Sequence, residues 1–267
     1  LKFLGAKEKG EIAIFGAPHD STTCFRGGAR FGPYGIRLFS QNLEEYSPNL
    51  KKSLKELQFQ DLGDLELPVE PSKAIEEIYK FVKGINIPVA LGGEHSITYP
   101  IVKALKERHK ELTVVHFDAH ADLREEYLGT PYSHACVMKR VLELGVRLIQ
   151  VGIRSGTEKE WEIIKENPNI TYLKEVKELP DLLKEVKTPA YFTVDIDYFD
   201  PAFAPGTGTP EHCGESPVEF FKAVYKLPPV KVVGFDVVEV SPPYDPSGIT
   251  QALGAKIVRE LLLKFWG

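Results

Sequence analysis

The stretch LTVVHFDAHAD at 112–122 decides how this chain folds. Its first half is apolar almost throughout, the mark of a strand covered on both faces in a parallel sheet. Its second half alternates acid, imidazole and acid, so a chain leaving the strand in extended form aims Asp118, His120 and Asp122 to one side. Other β-rich runs lie at 11–16, 56–60, 88–91, 147–151, 170–173, 191–194 and 230–235. Helical patterns fall between them at 33–40, 72–82, 97–109, 134–144, 158–167, 217–225 and 250–265, with Ser72 and the pair Ser216-Pro217 as start signals. Strand and helix alternate with no linker or repeat. The expectation is one α/β domain over 1–267, a three-layer α/β/α sandwich on a mostly parallel sheet.

Composition narrows the function. Hydrophobic residues at 43% and charged residues at 27% are ordinary globular usage, and no apolar run approaches a membrane span. A net charge of -5 without basic clusters argues against a nucleic-acid partner and suits a cationic one. Cys24, Cys136 and Cys213 are widely spaced, odd in number and lack a CxxC pair, so neither a disulfide framework nor a structural zinc site is expected. That usage, with no secretory signal pattern at Leu1-Lys2-Phe3, sets the expectation of a cytoplasmic protein.

In parallel sheets ligands bind beyond the carboxyl ends of the strands. Four candidate strands here end in acids or histidines, at GGEH (92–95), DAHAD (118–122), DID (195–197) and DVVE (236–239). Taken singly, a strand-end Asp is a cap and a lone His an ordinary core residue. Capping does not explain DAHAD and DID closing two apolar strands while GGEHS closes a third. His95, Asp118, His120, Asp122, Asp195 and Asp197 together supply four carboxylates and two imidazoles. Packed without cations, those carboxylates would repel one another and most would take up protons. Two divalent ions resolve the conflict. Oxygen-rich donors with imidazole and no thiolate favour Mn²⁺, while the affinity order leaves Co²⁺, Ni²⁺ and Zn²⁺ open.

GGEHS at 92–96, HFDAHAD at 116–122 and DIDYFDPAFAPGTGTP at 195–210 resemble the signatures of the ureohydrolase (arginase/agmatinase) family. GAPHDSTTCFRGGARFGPYGIR at 16–37 and GFDVVEVSPPYD at 234–245 extend the resemblance over nearly the whole chain. It implies an arginase-like sheet of eight strands, in accord with the strand count, and two Mn²⁺ per chain. One metal would be held by His95, Asp118, Asp122 and Asp195, the other by Asp118, His120, Asp195 and Asp197. It further implies that the chain cleaves urea from a small cationic guanidino substrate, agmatine first, and assembles as a homo-oligomer, a trimer or hexamer. Glu94 stands where the family usually carries Asp, and its longer reach is expected to bear on the orientation of His95.

By the same resemblance Asp122 would hand a proton to the leaving amine, His134 would shuttle protons, and Glu239 would pair with the guanidinium plane. No catalytic role falls to His116, and that of Asp236 stays open. The segment 122–134 is expected to line the pocket mouth, with Glu125 and Glu126 attracting the substrate's distal ammonium and the rings of Tyr127 and Tyr132 lying along it. Aminopropylagmatine, arginine and other guanidino acids are the alternatives within this chemistry. A one-zinc deacetylase would leave the second ligand set without a use, and a non-catalytic polyamine-binding regulator would be marked by degenerate ligands.

Overall fold

A computed structural model describes residues 1–267. In chain order the elements are β1 (Ile12–Ala17), α1 (Gly32–Ser40), β2 (Tyr46–Ser47), β3 (Lys52–Ser53), β4 (Phe59–Asp64), α2 (Pro71–Lys83), β5 (Ile87–Gly92), α3 (Thr98–Arg108), β6 (Thr113–Phe117), α4 (Val137–Glu143), β7 (Arg147–Val151), α5 (Glu158–Glu166), β8 (Ile170–Leu173), α6 (Leu179–Lys184), β9 (Ala190–Asp195), α7 (Pro217–Lys226), β10 (Val232–Val238) and α8 (Ile249–Trp266). Eight strands form one sheet in the order β4-β1-β5-β10-β9-β6-β7-β8, and every pairing is parallel. The four strands that end in acids and histidines, β5, β10, β9 and β6, are therefore consecutive neighbours at the middle of the sheet.

Alternation along each strand divides its side chains between two cores. Ile12, Ile14, Val115 and Phe117 join one, with Ile36 of α1, Phe220 of α7 and Ile257 and Leu261 of α8. Ala13, Phe15 and Val114 join the other, with Ile78 of α2, Val102 of α3 and Val141 of α4. These two covers explain why the strands read as continuous apolar runs. No helix is long and apolar enough to cross a membrane.

Local differences from the expected elements have identifiable causes. Ser72 does not cap α2. Glu70 takes the cap position, Pro71 opens the helix, and the Ser72 hydroxyl donates to Glu70 Oε1 at 2.7 Å. Ser216 does cap α7, accepting from the Glu219 N–H at 3.2 Å. His134 lies in a 3-10 turn capped by Ser133, and α4 begins only at Val137. The helix α6 and the two-residue strands β2 and β3 are too short to show a period in the sequence.

Two devices hold the carboxyl ends of the strands in place. Arg154 spends its guanidinium on main-chain carbonyls, reaching Asp197 and Glu211 at 2.7 Å each, His212 at 3.0 Å and Tyr198 at 3.2 Å. This ties the end of β7 to the segment carrying Asp197. Gly93 sits where the loops after β1, β5 and β10 converge, donating to the Ala17 carbonyl and accepting from the Glu239 N–H, both at 2.9 Å. A Cβ at Gly93 would lie 1.9 Å from the His19 carbonyl oxygen, whereas one at Gly27 would meet nothing within 4 Å. Gly93→Ala is therefore expected to lower Tm by about 4–12 °C, the effect of a steric clash worth about 2–3 kcal/mol in a chain of this size. Gly27→Ala should leave the thermal unfolding curve within about 2 °C of the parent.

Candidate metal centre

The centre is built on His95, which opens the 3-10 turn after β5, with Gly93 and Glu94 between. Its ring is 1% exposed. Nε2 lies 2.8 Å from Thr193 Oγ1, and that hydroxyl donates to Asp236 Oδ1 at 2.5 Å. Asp236 also accepts from Thr98 Oγ1 at 2.8 Å and Tyr191 Oη at 2.6 Å. A hydroxyl has one hydrogen, and Thr193 has committed it to Asp236. Thr193 can therefore only accept from His95, so Nε2 carries the ring proton. Nδ1 then faces Asp118 Oδ2 at 3.0 Å, Asp195 Oδ2 at 3.2 Å and Asp122 Oδ2 at 3.3 Å. It nevertheless has no hydrogen-bond partner. None of the three oxygens is in line with an N–H there, so a second proton would go unbonded, whereas a cation among the four donors would engage all of them.

Asp118 sits at the middle of the cluster. Its Oδ1 accepts from the His120 N–H at 2.5 Å, and its Oδ2 is 2.8 Å from His116 Nε2. His116 falls among four residues whose donor atoms lie close enough to share an ion, with His95, Asp118 and Asp122; a second such group is Asp118, His120 and Asp197. The hydrogen bonds take His116 out of the ligand set. Gln150 Nε2 donates to the Ala121 carbonyl at 2.9 Å, which fixes the amide, and meets His116 Nδ1 at 3.1 Å. His116 Nδ1 accepts, so Nε2–H donates to Asp118 and has no lone pair left for a metal. On the other side His120 Nδ1 is 2.9 Å from Asp197 Oδ2, while Asp195 Oδ1 accepts from the Asp197 N–H at 2.8 Å. Asp118, common to both groups, is placed to bridge two ions.

The electrostatics show what this cluster lacks. Burial, with Asp197 and Asp118 nearby, pushes Asp195 well above the usual carboxylate range, and burial with Asp118 pushes Asp122 up. Burial also pushes Asp118 up, but the surrounding histidines outweigh it and hold that carboxyl well below its ordinary value. His120 is pushed up to about 12, Asp197 and Asp118 together outweighing its burial. Asp195, Asp122 and His120 all shift towards holding protons while Asp118 stays ionised among the imidazoles, a demand for positive charge that divalent cations meet. The donor set fits two of them.

A cavity of about 320 Å³ opens from these residues to the surface, with His134, Glu239, Arg124, Tyr127, Glu160 and Cys24 on its wall. Glu239 lies just beyond β10 with φ 62°, a strained left-handed conformation for a residue with a side chain. Its Oε1 accepts from the His95 N–H at 2.8 Å. Burial pushes its carboxyl up to about 8. Burial disfavours the charged ring of His134, but Cys24 and the carboxylates of Glu239, Glu94 and Asp122 outweigh it and push the ring up to about 9. Glu94 does not reach the His95 ring. It binds the loop after β1, accepting from Thr22 N–H at 2.8 Å, Thr22 Oγ1 at 2.7 Å and Ser96 Oγ at 2.6 Å.

Three residues expected at the mouth do not line the metal cavity itself, although Glu125 and Glu126 line an adjoining cavity that shares Arg124, Thr157 and Glu160 with it. Glu125 pairs with Arg140 at 2.9 Å and Lys139 at 3.0 Å on the α4 side, and neither it nor Glu126 lines the metal cavity. Tyr132 stacks on Tyr99 at 6.3 Å instead of facing the site. Asp122 itself takes a left-handed φ of 54°. Leu123 is then buried with its N–H on Glu160 Oε1 at 3.0 Å, and the next side chain turned back to the cavity is that of Arg124, lying over the Tyr127 ring at 4.7 Å. A divalent cation at 100 times its Kd should raise Tm by about 5–10 °C, the equivalent of about 2.7 kcal/mol. Asp195→Asn should abolish that rise, and metal analysis should find two ions per parent chain; one ion at saturation would sink the two-ion arrangement.

Comparison with known proteins agrees with this geometry. The model of the arginase family matches residues 10–264. A Bacillus subtilis protein named agmatinase is 40% identical over 97% of this chain and 93% of its own length. An N(1)-aminopropylagmatine ureohydrolase of Thermococcus kodakarensis is 38% identical over 92% of this chain and 88% of its own. A solved structure from Clostridium difficile superposes with a TM-score of 0.92 at 37% identity, covering 97% of this chain and 98% of that one. With a parallel eight-stranded sheet, a two-group acid and imidazole cluster at its centre and relatives matched along nearly its whole length, the chain belongs to the arginase family of ureohydrolases.

Proposed function

We propose that this chain is a manganese-dependent agmatinase, hydrolysing agmatine to putrescine and urea. The observation that carries the guanidinium reading is Glu239, a buried carboxylate on the wall of the cavity that opens from the acid and imidazole cluster, with one oxygen held by the His95 N–H and no protein partner on the other. A buried carboxylate with one oxygen unbonded calls for further donors and charge, and a planar guanidinium supplies both. Agmatine is favoured among guanidino compounds because the Bacillus subtilis relative bears that activity in its name. The Thermococcus kodakarensis relative supports a second reading, in which the amine end of the substrate carries an aminopropyl extension.

His95, Asp118, Asp122 and Asp195 would hold one ion, and Asp118, His120, Asp195 and Asp197 the other. When bound, an ion pair of this kind supplies a nucleophile by lowering the pKa of water. The residues do the rest. Glu239 orients the guanidinium carbon towards the cluster. Asp122, on the wall of the cavity beside the cluster, would take a proton and release it to the departing amine. His134 exchanges protons between the cavity and solvent. An oligomer of three or six chains and a cytosolic setting belong to the same reading.

The test is urea release from agmatine, aminopropylagmatine, arginine and 4-guanidinobutyrate with added Mn²⁺. Agmatine should exceed arginine by at least about tenfold in kcat/KM, the equivalent of about 1.4 kcal/mol. Equal or faster hydrolysis of arginine would overturn the assignment. Glu239→Gln should keep two ions per chain and lose about 100-fold in kcat/KM, the scale of a buried charged hydrogen bond. Metal loss in that variant would move Glu239 from substrate to metal binding.

A further inference from the structure

The loop after β1 meets the His134 ring through Thr22 at Nδ1 and, more distantly, through Cys24 at Nε2. Thr22 Oγ1 lies 3.1 Å from His134 Nδ1, and the His134 N–H donates to the same oxygen at 3.1 Å. On its other side this hydroxyl is 2.7 Å from Glu94 Oε1, and Glu94 is wholly buried. We infer that Glu94 and Thr22 are positioning residues that fix the ring tautomer of His134, keeping the proton on Nδ1 and leaving Nε2 as the nitrogen that exchanges protons in the cavity. The consequence for turnover rests on the proposed shuttle role of His134. The tautomer rests on the hydrogen bonds alone.

The argument counts hydrogens. A threonine hydroxyl offers one hydrogen and two lone pairs. Glu94 can only accept, and the contact to it is the shorter one and charge-assisted, so Thr22 gives its hydrogen to Glu94. Both lone pairs then face His134, one receiving the main-chain N–H and the other the ring. If Nδ1 were bare, a nitrogen lone pair would oppose an oxygen lone pair at 3.1 Å. Ser133 Oγ, 3.3 Å from the same nitrogen, could donate to a bare Nδ1 but would leave that repulsion in place. Nε2 has a weaker neighbour, the Cys24 thiol at 3.7 Å, and both residues line the cavity.

The experiment uses enzyme labelled with ¹⁵N-histidine and loaded with diamagnetic Zn²⁺, titrated until His134 is neutral, with His134→Asn assigning the signal. Protonated and bare ring nitrogens differ widely in ¹⁵N shift. The parent should show Nδ1 protonated and Nε2 bare. Thr22→Val, which cannot accept, should let the Nε2–H form take at least about half the population, and Thr22→Ser should restore the parent pattern. Glu94→Gln, able to donate to Thr22 and so free its hydroxyl for Nδ1, should shift the ring the same way as Thr22→Val. With Mn²⁺ restored, Thr22→Val should lose about tenfold in kcat with KM within about twofold and metal content unchanged, one unit of barrier near 1.4 kcal/mol. A parent enzyme with the proton on Nε2, or a Thr22→Val variant with the parent's shifts, overturns the inference. Parent-like turnover in His134→Asn would remove the shuttle role and the effect on kcat, while the nitrogen shifts decide the tautomer separately.

Discussion

The crowding of carboxylates at the ends of β6 and β9 is the constraint from which the rest of the centre follows. Asp118, Asp122 and Asp195 each bring an oxygen within 3.3 Å of one imidazole nitrogen, and Asp197 completes the group beside His120. So many acids can share a dry space only if positive charge is brought to them. The parallel sheet makes the convergence possible, since it ends its four central strands on one side. Backbone strain completes it. Asp122 and Glu239 hold φ of 54° and 62°, conformations that cost of order 1 kcal/mol or more for residues with side chains. Both are held in place by their neighbours: the Asp122 carbonyl receives two N–H groups of α4, and the Glu239 N–H is held by Gly93.

What was legible in the sequence is what repeats. Both cores show as continuous apolar strands, and the ligands show as alternation beyond them, because a residue's face follows from its parity once a strand is fixed. The segment after Asp122 was not legible for the same reason. Alternation carries as far as Arg124 and then gives way to the Tyr127–Thr130 turn, so Glu125 and Glu126, which the sequence points to the mouth, do not line the metal cavity, whereas Tyr127 does. Glu94 binds away from the ring it adjoins in sequence. Its position beside His95 in sequence suggested that ring, but the extra methylene carries the carboxylate to Thr22, and the contact that matters is 72 residues away. His116 gave no signal beyond membership of an apolar strand, and only the fixed amide of Gln150 shows which of its nitrogens donates. The helix α6 spans six residues, less than two turns, and has no period to read.

The two histidines that matter most are held by the same arrangement turned opposite ways. In each, a buried acid takes the hydrogen of a threonine hydroxyl, and the hydroxyl then can only accept from the ring. Asp236 and Thr193 act on Nε2 of His95, so the bare nitrogen is Nδ1, which faces the carboxylates. Glu94 and Thr22 act on Nδ1 of His134, so the bare nitrogen is Nε2, which faces the cavity. A metal ligand must offer a lone pair at all times, and a proton carrier must offer one between transfers. The structure meets both needs without placing a charged partner on either ring's outer nitrogen, where a carboxylate would raise the ring's basicity along with orienting it. A hydroxyl already committed to an acid orients the ring while keeping that charge one bond further away. Valine in place of either threonine preserves shape but also takes a hydrogen bond from the buried acid and, at Thr22, from the His134 N–H, so serine, which keeps the hydroxyl, is what separates its effect from that of packing.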